Sequence, residues 1–177
     1  MKYLIASDIH GSLEYAEKVI NKFNEEKADK LVLLGDLYYH GPRNPLTANY
    51  NPKEVSNLLN SISNKIICTR GNCDAEVDQM ISNFKIVSHK KIKFAGKTIM
   101  FTHGHKFNID NPVPNVDILI YGHFHTGFIK EQNGKLFINA GSVSLPKHNT
   151  PNSYLVLDEN EIILKTITGD IIDKISL

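Results

Sequence analysis

The chain has 177 residues, 41% hydrophobic and 22% charged, with a formal net charge of +1 at pH 7. That length suits a single domain spanning residues 1–177 with a proper core, and the near-neutral balance argues against a protein held to nucleic acid by a concentrated basic face. Only two cysteines are present, which excludes a disulfide framework, and no stretch approaches the roughly 20 apolar residues that span a bilayer.

The N-terminal apolar run is too short for a signal peptide and meets Asp8 and His10 at once, so the expected location is the cytoplasm. Residues 2–7 (KYLIAS) read as a buried strand. Residues 12–26 follow as an amphipathic helix, with Ser12 as N-cap and Leu13, Ala16, Val19, Ile20 and Phe23 on one face. Residues 30–35 (KLVLLG) make a second buried strand. Residues 38–51, rich in Gly, Pro, Asn and Tyr, make a long loop of the kind that is often functional. A helix over 53–63, a strand over 65–70 and a short helix over 75–83 complete a βαβαβ half.

The second half is expected to be mostly antiparallel. Strands at 91–95 and 98–103 flank Gly96-Lys97, and residues 117–121 form another strand. Residues 127–131 and 135–139 flank Asn133-Gly134, a strong hairpin signal, and 153–158 and 161–168 flank Glu159-Asn160. The pattern predicts two packed sheets with helices outside.

Five of these apolar strands stop at chemistry-bearing residues. The first ends in Asp8-Ile9-His10, the second in Gly35-Asp36, and the third in Gly71-Asn72-Cys73-Asp74. The strand ending at 103 leads into His103-Gly104-His105, and the strand at 117–121 into Gly122-His123-Phe124-His125. Taken singly, each is an ordinary cap, turn or loop histidine. Together they bring carboxylates, an amide and imidazoles to the carboxyl ends of strands, where α/β folds bind ligands. The donor types suit Mn²⁺, Fe²⁺ or Zn²⁺, and their number suits two ions sharing one carboxylate.

The ordered set Asp8-x-His10, Gly35-Asp36, Gly71-Asn72-x-Asp74, His103 and Gly122-His123-x-His125 resembles the calcineurin-like metallophosphoesterase superfamily. The blocks SDIHGS, GDLYYHGPRN, RGNCDAEVDQM, THGH, YGHFH and NAGSVSLPK are similar to its small bacterial phosphodiesterases. The resemblance covers nearly the whole chain. It implies an α/β fold of two mixed sheets packed face to face with flanking helices. It implies one ion on Asp8, His10, Asp36 and His125, a second on Asp36, Asn72, His103 and His123, and Asp36 as the bridge. It favours Mn²⁺, with Fe²⁺, Ni²⁺ and Zn²⁺ as alternatives, and hydrolysis of a small phosphodiester by a hydroxide shared between the ions. Homo-oligomers occur in the family, and nothing in the sequence marks an interface. The competing readings are a phosphomonoesterase of the same superfamily, and a catalytically silent scaffold or nucleotide-binding module on the same fold.

Cys73 stands where the wider superfamily commonly has a histidine that meets the phosphate or protonates the leaving group, oriented by the acid that follows. A thiol is a poor proton donor to an alkoxide, so the expectation is activity on esters with acidic leaving groups and little on alkyl esters. Cys73 as a covalent nucleophile is not needed beside a metal-activated water. Arg43, in the loop after Asp36, is a candidate phosphate contact through its planar fork. His105 reads as structural, Cys68 as core, and Asn139–Ser142 as a turn beside the site.

Overall fold

The protein's structure, a computed structural model, describes residues 1–177. Its strands are β1 (Tyr3–Ala6), β2 (Lys30–Leu33), β3 (Ile66–Thr69), β4 (Ile86–Val87), β5 (His89–Phe94), β6 (Lys97–Thr102), β7 (Ile118–Tyr121), β8 (Gly127–Gln132), β9 (Lys135–Ala140), β10 (Ser153–Leu157), β11 (Glu161–Thr166) and β12 (Ile171–Ser176). Helices α1 (Leu13–Glu25), α2 (Pro52–Asn60) and α3 (Glu76–Ile81) join β1 to β2, β2 to β3 and β3 to β4.

One sheet runs β12-β11-β10-β1-β2-β3-β4, parallel from β1 to β4 and antiparallel from β1 outward through β10 to β12. The other runs β5-β6-β7-β9-β8. The expected α/β pair of mixed sheets is what forms.

Alternation of side chains explains the layering. Leu4 and Ala6 of β1 and Leu31 and Leu33 of β2 face the helices, meeting Ala16, Val19 and Phe23 of α1 and Val55 and Leu59 of α2. Ile5 and Val32 point the other way, into a second core with Ile99, Phe101, Ile118, Ile120 and Ile138 of the other sheet. Both faces of β1 and β2 are therefore buried, which is why their sequences read as continuous apolar runs. Ser12 caps α1 by accepting from Tyr15 N, and Asn51 caps α2 by accepting from Glu54 N.

Several expectations need correction. The second half is mostly antiparallel, as expected, but β6, β7 and β9 are parallel neighbours. Helices cover one sheet only. The outer face of the other, with Met100, Leu119, Tyr121 and Phe137, is covered partly by Phe107, Ile109 and Val113 from the segment between β6 and β7. The β5–β6 turn is Ala95-Gly96, both at positive φ, rather than Gly96-Lys97. Strand β4 has two residues, and β12 is an edge strand with Ile171 and Ile172 exposed. Neither carries a burial pattern that periodicity could reveal.

Candidate metal centre and active site

The parallel sense of β1, β2 and β3 sends their carboxyl ends one way, and β6 and β7 deliver theirs to the same rim. Backbone hydrogen bonds join the ends of β1 and β2, Asp8 N to Gly35 O and His10 N to Asp36 O, and those of β6 and β7, Gly122 N to His103 O, while Cys73 N after β3 donates to Asp36 Oδ1 at 2.8 Å. Every sequence-predicted ligand arrives there. The side chains of Asp8, His10 and His125 place one ligand atom each within 4.8 Å of one another, and Asp8, Asp36 and His103 do the same. His123 Nδ1 lies 3.2 Å from His103 Nε2, and Asn72 Oδ1 lies 3.0 Å from it.

The backbone at this rim is strained. Asp8, His10, Asp36, His123 and His125 all adopt left-handed φ, between 50° and 66°. Non-glycine residues occupy that region sparingly, and such strain collects at functional sites. Two glycines make the approach possible: a Cβ at Gly71 would strike the Asp36 carboxylate, and one at Gly122 would strike Ser7 and the Asp8 carboxylate.

The donor arrangement fits cations. His10 Nδ1 donates to Tyr39 O at 2.8 Å, His103 Nδ1 to Leu34 O at 2.8 Å, and His125 Nδ1 to Leu145 O at 2.6 Å. Each ring therefore spends its Nδ1 proton on a carbonyl and presents an Nε2 lone pair inward, the usual tautomer of a metal-binding imidazole. His10 Nε2 and His125 Nε2 then face each other at 3.3 Å. Asp8 Oδ1 is buried without a hydrogen-bond partner, 3.2 Å from His125 Nε2 and 3.6 Å from His10 Nε2. Lone pair against lone pair beside an orphaned carboxylate oxygen is what a cation resolves.

Without a cation, protons take that place. Burial alone would depress His103, but the Asp36 carboxylate 3.3 Å away raises it to about 9. His10 is raised in the same way: burial opposes it and Asp8 prevails. Burial would raise both carboxyls, yet His10 and His125 hold Asp8 well below the usual range, and His103 lowers Asp36. His123 goes the other way, to about 4, through burial and then the charge on His103.

The surrounding loops hold these groups. Asp74, buried after β3, accepts from the amides of Asp36, Leu37 and Gly71 at 2.7–2.9 Å. Its carboxylate is spent on the backbone that carries Asp36, so it does not orient residue 73. Asn139–Ser142 has the supporting role expected of it. Asn139 donates to Gly122 O at 2.6 Å and Ser142 to Asp8 O at 2.8 Å.

An open cavity of about 870 Å³ stands over the centre. Asp36, Asn72, His123 and His125 form its floor, and Cys73 and Arg43 line it. Cys73 Sγ accepts from Asn72 Nδ2 at 3.4 Å and packs on Gly41, where a Cβ would approach to 3.1 Å. Burial, then Asp36, pushes its thiol up to about 12, which leaves it protonated and a poor nucleophile. Arg43 is exposed at the rim. His105 lies outside the cavity with its ring 5.4 Å from that of His103, and Cys68 is buried in the core.

Lining residues that were not read as functional from the sequence include Tyr39, Phe124, Lys147 and His148. Tyr39, Phe124 and Lys147 fall inside the GDLYYHGPRN, YGHFH and NAGSVSLPK blocks, whereas no block reaches His148.

The fold and this centre define a metallophosphoesterase-type domain, and the chain belongs to the calcineurin-like phosphoesterase superfamily, whose model matches residues 1–161. It is 45% identical over 164 residues to Phosphodiesterase YfcE of Escherichia coli K12, covering 90% of this chain and 89% of that one. It is 30% identical to the probable metallophosphoesterase YsnB of Bacillus subtilis, covering 89% and 83%. The solved structure of the E. coli phosphoesterase YfcE superposes with a TM-score of 0.96 at 38% identity, with 99% of both chains covered. Vps29 of Cryptosporidium parvum, at 19% identity and a TM-score of 0.67, shares the fold.

Proposed function

We propose that this protein is a metal-dependent phosphodiesterase acting on a small phosphodiester. The observation that carries this reading is the orphaned Asp8 Oδ1 among inward-facing imidazole lone pairs, on a chain 45% identical to a named phosphodiesterase. One ion would be held by Asp8, His10, Asp36 and His125 and a second by Asp36, Asn72, His103 and His123, with Mn²⁺ as the preferred metal. Two such ions supply a deprotonated water at neutral pH and positive charge for the non-leaving phosphate oxygens.

The chain's own residues do the rest. Asp74 fixes the turn that aims Asp36. The carbonyls of Tyr39, Leu34 and Leu145 hold three imidazoles in one tautomer. Arg43 meets the phosphate from the rim, and Cys73 keeps the cavity edge small and uncharged. The retained ligand set weighs against a silent scaffold, and the near-neutral charge weighs against long nucleic acid as substrate. No helix is long and apolar enough to cross a membrane.

The test is to strip the protein of metal, restore Mn²⁺ stepwise, and follow bis(4-nitrophenyl) phosphate beside 4-nitrophenyl phosphate. Mn²⁺-dependent cleavage of the diester in excess of the monoester is expected. Preferred cleavage of the monoester would make it a phosphomonoesterase. No turnover of either with metal bound would make it a binding module.

A further inference from the structure

A diester with a poor leaving group needs a proton delivered to the departing oxygen, and Cys73 is a weak donor for that task. The cavity also carries an imidazole, that of His148. The segment after β9 folds back against the ligand His125. Lys147 N donates to His125 O at 2.9 Å, Thr150 Oγ1 reaches the same carbonyl at 3.4 Å, and Leu145 O takes the His125 Nδ1 proton at 2.6 Å. These bonds fix a tight turn from Lys147 to Thr150, closed by Thr150 N to Lys147 O at 3.0 Å.

The two central residues of that turn, His148 and Asn149, sit at φ 53° and 58°. Such a turn favours Asn or Gly at its first central position, and here that position holds a histidine that lines the cavity. The ring is also oriented. Thr126 Oγ1, which can donate to Phe124 O at 3.3 Å, lies 2.9 Å from His148 Nδ1. With the hydroxyl proton on the Phe124 carbonyl, the hydroxyl oxygen accepts the Nδ1 proton, and Nε2 is left for the cavity. An imidazole oriented by a hydroxyl in turn oriented by a carbonyl is the pattern of a positioned acid–base group.

We propose that His148 is a catalytic residue of the phosphodiester cleavage, donating the proton from its Nε2 to the leaving-group oxygen. The oxygen of the attacking water, one proton already released to solvent, forms the new bond to phosphorus as the bond from phosphorus to the leaving oxygen breaks. The electron pair left on that oxygen takes the proton of the imidazolium, and solvent returns one to the ring. Thr126 is the positioning residue. This rests on the phosphodiesterase reading of the site.

The test is His148→Asn, since asparagine accepts the left-handed backbone but cannot donate a proton as an acid. Wild type and variant, both loaded with Mn²⁺, are compared on ethyl aryl phosphodiesters graded from 4-nitrophenyl to 4-methoxyphenyl. The 4-nitrophenyl ester leaves as a stable anion, and its rate is expected to fall less than about threefold. The 4-methoxyphenyl ester is expected to fall about a hundredfold, steepening the dependence on leaving-group basicity. Thr126→Val is expected to steepen it in the same direction, by less. The thermal midpoint and the calorimetric Mn²⁺ titration of the stripped protein should not move. An equal loss across the series, or none, overturns the role of His148 while leaving the phosphodiesterase reading intact. A wild type that cleaves no member of the series overturns both.

Discussion

Two charged clusters in this protein, one buried and one half-buried, look alike in composition and differ in how they are satisfied. At the strand ends, Asp8 and Asp36 meet four imidazoles, one carboxylate oxygen has no partner, and five of the residues hold left-handed backbone. Beyond the end of α1, Glu26 meets Tyr154, Lys165 and Lys2. Its Oε1 accepts from Tyr154 Oη at 3.0 Å and from Lys165 Nζ, its Oε2 faces Lys2 Nζ at 3.5 Å, and its φ is an ordinary −71°. The second cluster is complete as it stands and ties α1 to β10 and β11. The first is complete only with something added. Burial of charge alone does not mark function here; an unmet acceptor on strained backbone does.

Removing the carboxylate proposed to be shared by two ions should give the largest effect. Asp36→Asn is expected to lower diester turnover by about a thousandfold or more, because charge stabilisation worth several kcal/mol is lost. The rise in thermal midpoint that Mn²⁺ gives the wild type should vanish in the variant. A variant that keeps both would place the metal elsewhere.

Asp74 joins the two kinds of cluster, being fully satisfied yet placed to serve the site. Asp74→Ala leaves the amides of Asp36, Leu37 and Gly71 without their acceptor and is expected to cost about 3 kcal/mol in denaturant unfolding. Weaker Mn²⁺ binding by about ten- to a hundredfold should accompany it. Loss of stability with unchanged metal affinity would show that the Asp36 turn does not depend on this carboxylate.

The complete cluster should respond to pH and not to metal. Burial would raise the Glu26 carboxyl, but Lys165 and then Tyr154 bring it below 4.5. A depressed carboxyl contributes stability that is present above about pH 4.5 and is lost as pH falls through its folded-state value. Glu26→Gln is therefore expected to cost about 1–2 kcal/mol near pH 7. The gap to wild type should narrow as pH falls below about 4.5, and diester turnover should be unaffected. A gap that widens on acidification would reverse the sign and exclude Lys165 as the cause.

The same contrast explains what could be read in advance. Asp8, His10, Asp36, Asn72, His103, His123 and His125 were legible because each ends a short apolar strand, and strands β1, β2, β3, β6 and β7 announce themselves by burial on both faces. The meeting of five strand ends at one rim was legible from where their chemistry-bearing residues fall; the parallel β6-β7-β9 arrangement was not, because no helical crossover links those strands. Tyr39, Phe124, Lys147 and His148 were missed for a different reason. They lie in loops, where neither period applies, and hydrogen bonds between distant residues, those of Lys147, Thr150 and Leu145 with His125 and of His148 with Thr126, bring the 147–150 turn to the cavity.

Arg43 tests whether the rim behaves like either cluster. It is exposed, it lines the cavity, and it follows Asp36 in the loop that also supplies Tyr39 and Gly41. A side chain that touches the phosphate only on binding should hold substrate and transition state about equally. Arg43→Ala is then expected to raise KM for the diester about tenfold and to change kcat less than about threefold, without altering the thermal midpoint. Arg43→Lys should recover only part of the loss, because an ammonium cannot reproduce the two parallel bonds of the guanidinium fork. An unchanged KM would make Arg43 a solvated rim residue and leave Lys147 as the remaining cation on the cavity wall. A fall in kcat with KM unchanged would place the guanidinium against charge that develops only in the transition state, and Arg43 would then belong with the incomplete cluster rather than at its edge.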